Sequence, residues 1–385
     1  MQGVEILIQH TRGYEWKLDG LVAEALRPPR DNYGWSMLSL QVIIKNCANG
    51  STQELHLLLK SVAAPEIRRP LVDKLGTFEK EMFMYSTIFP MYEELEIQSN
   101  LMIKDCLRII PLYYGEFMKI LSYNPLRCDG VMMFDNMQSA GYYSVSKAVG
   151  CNLHHAVLAT ITMAKFHALG MGTKERQPQY FERMKAAAKV FDVESPEMWE
   201  KLFEEMLNDI TSNPKLKRYH EVCRRAFNQN MVENWKIVPS EPWSTIIHGN
   251  YWVKNMLFRS SRIITPARMI LLDYQTYLFA SPMRELAFFV NAGLDLDTMD
   301  YVDELIDLYY EILIKHLKLL HCDTEPYTRE SFDRAMANDA YEEFPHCVDT
   351  IKIKTDDYLN KINYQKRLRK MIRTYSKKHW FKRVE

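Results

Sequence analysis

The segment His248-Gly249-Asn250-Tyr251-Trp252-Val253-Lys254-Asn255 and the later run Met269-Ile270-Leu271-Leu272-Asp273-Tyr274-Gln275 constrain the fold of this chain more than any other feature. The first reads as a loop with a glycine among polar side chains, and the second as an apolar strand ending on a carboxylate. Between them, residues 256–258 and 268–272 are strand candidates. A hairpin built from these strands brings Asn255 and Asp273 to one edge. An amide oxygen and a carboxylate placed together suit a hard octahedral cation, because they leave coordination positions for waters and phosphate oxygens.

Phosphotransferases space a loop Asn and a strand-end Asp in this way. There the third residue of a His-Gly-Asp triplet orients the acceptor hydroxyl and takes its proton, while the later Asn and the strand-end Asp hold magnesium on the nucleotide phosphates. Here the third residue is Asn250. An amide positions a hydroxyl by hydrogen bonding but is not a useful proton acceptor at neutral pH. The spacing therefore predicts His248, Asn250, Asn255 and Asp273 as the reaction-centre residues and Asn255 with Asp273 as the metal pair. Position 250 puts the chemistry in question.

With 385 residues, 47% of them hydrophobic and 12% aromatic, the chain has the material for two lobes and a large core. Its 49 basic and 49 acidic residues cancel, which removes a global electrostatic case for nucleic acid or an anionic membrane. Glu5, His10, Arg12 and Glu15 interrupt the N-terminal apolar residues, so no secretory h-region is expected. No apolar run approaches the roughly 18 residues that span a bilayer. The seven cysteines are scattered without a Cys-x-x-Cys pair, which fits reduced thiols in a cytoplasmic protein and no zinc site. His154-His155 and His321-Cys322 lack further ligands at metal spacing.

Along the chain, strands are expected at 37–44 and 55–59 around the turn Ala48-Asn49-Gly50-Ser51, then a helix over 77–93 with Phe78, Glu81, Met82, Tyr85 and Phe89 on one face. Further strands are expected at 107–114 and 130–134. The chain then passes through Asp135-Asn136-Met137 from a small lobe into a larger, mostly helical one. A helix over 152–169 shows an apolar face of Leu153, Val157, Ile161, Ala164 and Ala168, and Ser195-Pro196-Glu197 opens another. Leu305, Leu308, Tyr309 and Ile312 repeat the helical period. In the basic tail, Lys366, Arg367, Arg369, Lys370, Arg373, Lys377, Lys378, Lys382 and Arg383 alternate with Leu368, Ile372, Tyr375, Trp380 and Phe381, which predicts a terminal helix packed by its apolar face. Docking to a partner or a membrane surface is the alternative for this tail.

Lys60, after the apolar run Leu55 to Leu59, is placed to neutralise phosphate oxygens while pairing with Glu81. His167 sits among small and apolar residues and reads as a satisfied core histidine, and Trp243, Tyr251 and Trp252 as packing around the loop.

Together these residues resemble the ecdysteroid kinase-like family of CHK-type kinases, abundant in insects and related to choline and aminoglycoside kinases. The family loop, approximately His-Gly-Asp-x-Trp-x-x-Asn with a later Phe, looks like His248, Gly249, Asn250, Trp252, Asn255 and Phe258. Its Asp-Phe-Gln looks like Asp273-Tyr274-Gln275, followed by Ser281-Pro282 and Leu286. Phe78, Glu81 and Tyr85 match its helix signature, Lys60 its strand lysine, and Ala164 to Ala168 its Ala-x-Phe-His-Ala segment. Where the family loop before the first strand reads Gly-Glu-Asn-Tyr, this chain has Arg30-Asp31-Asn32-Tyr33.

The resemblance implies an α+β, two-lobed protein-kinase-like fold, with a small antiparallel-sheet N-terminal lobe over 1–134 and a large, mainly helical C-terminal lobe over 135–385. The second lobe carries the loop at 248–255, the metal-binding segment at 268–275 and the basic tail. ATP and Mg2+ are the implied cofactors, with Lys60, Glu81, Asn32, Asp135 and Met137 around the nucleotide, and the acceptor is a small molecule with a hydroxyl, steroid-like in the family's eponymous case. Two functions fit: a small-molecule kinase, or a pseudokinase that binds nucleotide or ligand without turnover because Asn250 replaces the aspartate.

Overall fold

The computed structural model describes residues 2–26, 35–62, 76–120, 128–190, 196–227, 236–260, 265–353 and 358–382. The chain divides into two compact units.

The first unit comprises Met1–Pro90, Arg108–Tyr143 and Ile270–Thr276. Helix α1 (Gln2–Arg12) leads into β1 (Trp16–Leu26), β2 (Trp35–Asn46) and β3 (Thr52–Val62), followed by α2 (Thr77–Phe83), β4 (Tyr113–Ile120) and β5 (Cys128–Asp135). The strands form one antiparallel sheet in the order β1-β2-β3-β5-β4. Asn46 makes the expected β2–β3 turn by accepting the Ala48 and Asn49 amides at 2.8 and 3.2 Å, an Asx turn. Alternation then sorts the side chains: Leu40, Val42, Ile44, Leu55, Leu57 and Met133 bury one sheet face against Leu7 and Ile8 of α1. Lys60 lies three residues beyond Leu57, so period two turns it to the other face.

Two expectations for this unit are corrected. The helix predicted over 77–93 is interrupted by a π turn at Met84–Ile88 and resumes as α3 (Phe89–Gln98). Spacings of three and four do not register one inserted residue. The strand predicted over 107–114 begins only at Tyr113. Pro111 lacks an amide donor, the Leu107 amide bonds to the Glu96 carboxylate at 2.6 Å, and the Ile109 carbonyl accepts from Leu271. That segment is hydrogen-bonded outside a ladder. Helix α1 and strand β1 were not anticipated, because β1 is largely solvent-facing and lacks a clean alternation.

The second unit comprises Met91–Leu107, Ser144–Met269 and Tyr277–Glu385. Its helices are α4 (Leu153–Arg176), α5 (Pro178–Ala187), α6 (Pro196–Thr211), α7 (His220–Phe227), α8 (Pro282–Phe288), α9 (Val302–Leu319), α10 (Arg329–Ile353) and α11 (Tyr358–Lys377). Short strands β6 (Thr245–Ile247), β7 (Met256–Ser260), β8 (Pro266–Leu271) and β9 (Leu278–Ala280) stand between α7 and α8, with β9 antiparallel to β6. Asn152 caps α4 by accepting the His155 amide at 3.1 Å. Helix α4 is buried almost all round from Ala159 to Thr173, so the single apolar face predicted for it was too narrow. Ser195 lies outside the described residues.

The basic tail is packed. Leu368, Ile372, Tyr375, Trp380 and Phe381 are buried, and so is Arg367, whose guanidinium donates to the carbonyls of Leu294 and Val149. Those carbonyls flank the isolated bridge Cys151–Leu294. At Gly150, φ is +90°, and an added Cβ would lie 2.4 Å from the Leu294 carbonyl oxygen. Gly150→Ala is therefore expected to cost roughly 2–4 kcal/mol, read as a fall in the urea midpoint without a change in slope.

Candidate functional site

Within the first unit, strand β3, helix α2 and the segment after β8 bring three charges together. Lys60 Nζ lies 2.5 Å from Glu81 Oε2 and 2.9 Å from Asp273 Oδ1. The Lys60 and Glu81 side chains are 6% and 2% exposed, and that of Asp273 is 27% exposed. Asp273 adopts φ of +68°, a left-handed conformation that Asp tolerates better than most residues. This turns the chain into the short 3-10 turn Tyr274–Thr276. Gln275 Nε2 donates to Asp273 Oδ2 at 3.1 Å, and the Tyr274 backbone donates to Glu81. Tyr274 packs edge-on against Tyr85 and Phe89 at 5.5 and 5.1 Å, locking the turn onto the helical segment that carries Glu81.

The electrostatics follow from one cation shared by two acids. Burial works to lower the Lys60 ammonium, but Asp273 and then Glu81 outweigh it and hold the group above the ordinary lysine value. Burial, opposed by Lys60 and aided by Asp273, pushes the Glu81 carboxyl up to about 7. Lys60 by itself would lower Glu81; burial outweighs it, and Asp273 adds to the rise. Lys60 stays charged, and burial above all holds the Glu81 carboxyl near neutrality.

Within the second unit, the buried strand β6 delivers the loop at 248–255. His248 is buried, and its Nδ1 accepts the Asn250 amide at 3.2 Å. Gly249, at φ +75°, makes the reversal that an L side chain would strain. The Asn250 carbonyl accepts from Asn255 Nδ2 at 3.0 Å and from the Trp252 amide at 3.1 Å, so Asn255 braces the loop with its amide nitrogen. Tyr251 is fully buried and donates to the Ala159 carbonyl at 2.8 Å, and Trp243 packs on Tyr327 and Phe332, both in structural roles.

A residue that sequence reasoning missed closes this loop from behind. Glu285 on α8 accepts the Gly249 amide at 2.7 Å and the His248 amide at 3.2 Å, and it also faces His167 Nε2 at 2.9 Å. Its position in the first turn of α8, after the Ser281-Pro282 cap, is the ordinary place for a dipole-compensating acid. No periodicity signals that it points inward.

The remaining predicted residues fall as follows. Asp135 ends β5 and accepts from the Tyr114 hydroxyl at 3.0 Å, which in turn accepts from Arg12 at 3.1 Å, so its carboxylate is committed within the first unit. Met137 is half-buried and its carbonyl accepts from the Tyr142 amide. Asn32, with Arg30, Asp31 and Tyr33, lies outside the described residues.

A family model described as the ecdysteroid kinase-like family matches residues 29–322. Solved structures similar to the chain include Plasmodium vivax ethanolamine kinase, with 9% identity, a TM-score of 0.43, and coverage of 94% of this chain and 85% of that one. A spectinomycin phosphotransferase in complex with ADP and spectinomycin gives 10% identity and a TM-score of 0.43, covering 96% of this chain and 98% of that one. A microcompartment-associated aminopropanol kinase gives 10% identity and a TM-score of 0.43, covering 99% and 100%. No curated protein matches the sequence.

Proposed function

The chain belongs to the ecdysteroid kinase-like family, and from that premise we propose that it is an ATP-dependent phosphotransferase acting on a hydroxyl of a small molecule. The observation that carries the reading is the buried Lys60 held between Glu81 and Asp273. An ammonium kept charged in a buried position and aimed by two acids is suited to phosphate oxygens.

Asp273 and Asn255 are the proposed magnesium ligands, since a carboxylate and an amide oxygen are both hard donors of the kind this cation takes. Magnesium bound there would neutralise charge on the nucleotide phosphates. Lys60 adds a fixed positive charge, and Glu81 keeps it aimed. Asn250 hydrogen-bonds the acceptor hydroxyl and orients its oxygen toward the γ-phosphorus. The new oxygen–phosphorus bond forms as the bond to the ADP oxygen breaks, and the hydroxyl proton leaves to a phosphoryl oxygen or to water, since an amide does not take it. A loose transition state tolerates this, because positioning and charge neutralisation supply most of the acceleration. The acceptor is proposed to be a small hydrophobic alcohol of steroid type and the compartment the cytoplasm.

Asn250 favours a second reading, a pseudokinase that binds nucleotide or ligand without turnover. Calorimetry of ATP with and without magnesium, run beside a phosphate-release assay over steroid and other hydrophobic alcohols, separates the two. Magnesium-dependent binding with acceptor-dependent turnover supports the kinase, and binding without turnover supports the pseudokinase. Absence of ATP binding sinks the kinase and the nucleotide-binding form of the pseudokinase. Asn250→Asp is expected to raise turnover about tenfold or more by restoring a positioned base. An unchanged rate in a turning-over enzyme would show that position 250 acts by orientation alone.

A further inference from the structure

The hydrogen bonds behind the loop extend one layer past Glu285. His167 Nδ1 lies 2.7 Å from the Tyr309 hydroxyl, on α9, and its Nε2 lies 2.9 Å from Glu285 Oε2. All three side chains are buried. Among the described residues, the Tyr309 hydroxyl has no hydrogen-bond partner other than His167. Burial first, and then the charge of Glu285, hold that hydroxyl well above its ordinary value of 10, so it keeps its proton. The proton must point at Nδ1. That fixes His167 as the tautomer with its hydrogen on Nε2, which is the tautomer able to donate to Glu285. The reversed tautomer would set a ring lone pair against a carboxylate oxygen. His167 is also held through its backbone, since its carbonyl accepts from Thr245 Oγ1 at 3.0 Å, on the strand that delivers the loop.

A polar chain of this kind is a poor way to gain stability, because well-packed apolar side chains would do as well or better. Its distinctive property is direction: each member has one arrangement that satisfies every hydrogen bond. We propose that His167 and Tyr309 are positioning residues, which lock the Glu285 carboxylate onto the His248 and Gly249 amides and thereby set the aim of the Asn250 side chain. The part concerning catalysis rests on the phosphotransferase reading above, and the part concerning the loop does not.

The test uses the full chain with Tyr309→Phe, His167→Leu and His167→Gln. Tyr309→Phe keeps the ring and removes only the donor, and His167→Gln retains an N–H for Glu285 where leucine has none. Amide exchange at His248 and Gly249 is expected to accelerate in Tyr309→Phe and more strongly in His167→Leu, with protection along α9 unchanged and with glutamine restoring most of the loss. In the phosphate-release assay, kcat is expected to fall about tenfold in Tyr309→Phe and roughly a hundredfold in His167→Leu, with the affinity for magnesium and ATP unchanged. Unaltered exchange at His248 and Gly249 in all three variants overturns the proposal, whatever the melting temperature does. If the unsubstituted chain turns over no acceptor, exchange alone decides: lost protection upholds the relay while the kinase reading fails. If it turns over and kcat stays level in Tyr309→Phe, the kinase reading stands and the positioning role falls.

Discussion

Lys60→Met is expected to cost about 3–5 kcal/mol of folding stability and to lower turnover by roughly a thousandfold, the largest combined effect of any single substitution here. Methionine fills the volume of the lysine stem, so the loss is one of charge. Glu81, at 2% exposure, and Asp273 would face each other with no ammonium between them. The stability loss depends on pH with a defined sign. Glu81 already stands at about 7 against an ordinary 4.5, and removing Lys60 takes away the influence that lowers it. A carboxyl raised in the folded state contributes its stability below its unfolded value and loses it as pH rises through the folded one. The penalty in Lys60→Met should therefore shrink toward pH 4.5 and be greatest above pH 7. Urea denaturation across that range measures it. The double variant Lys60→Met, Glu81→Leu is expected to recover most of the stability and none of the turnover. Recovery of both would mean that Lys60 has no role toward phosphate.

Asp273→Asn is expected to act in the opposite pattern. Asparagine accepts the left-handed backbone at φ +68°, so the turn survives, and Lys60 and Glu81 become a balanced pair. Stability should hold or rise. Magnesium-dependent affinity for ATP should fall by roughly a hundredfold or more, since the carboxylate is the strongest oxygen ligand of the proposed metal pair. Calorimetry with and without magnesium reads this directly. If the magnesium dependence survives unchanged, Asp273 is not a ligand and the pairing with Asn255 is wrong. Asp273→Ala should lose affinity similarly but also some stability, because alanine is strained at that φ. The two substitutions together separate the charge from the turn.

Much of this arrangement was legible in the residues. Alternating apolar positions around an Asn-Gly turn gave β2 and β3, and the three-and-four spacing from Phe78 to Phe89 placed Glu81 on a buried face. Lys60 was expected to meet Glu81, and it does. Its bond to Asp273 was not anticipated, since the two are 213 positions apart. The π turn at Met84–Ile88 escaped because a single inserted residue leaves the apolar pattern nearly intact. Strand β1, mostly solvent-facing, offered no burial pattern to read.

The sequence by itself determined which chemistry is available: an amide at 250, an amide and a carboxylate at 255 and 273, a strand lysine and a helix acid. Those are properties of side-chain types and short spacings, which local periodicity carries. The tertiary structure alone decided how the charges are shared and what aims the loop. Glu285 reads in sequence as an ordinary acid of a helix first turn, and Tyr309 and His167 as ordinary core residues. Their roles arise because α8 sets Glu285 against the amides of His248 and Gly249, while α4 sets His167 against Glu285 and α9 sets Tyr309 against His167. A hydrogen bond demands distance and direction between groups here 36 to 142 positions apart along the chain, and no local pattern encodes either.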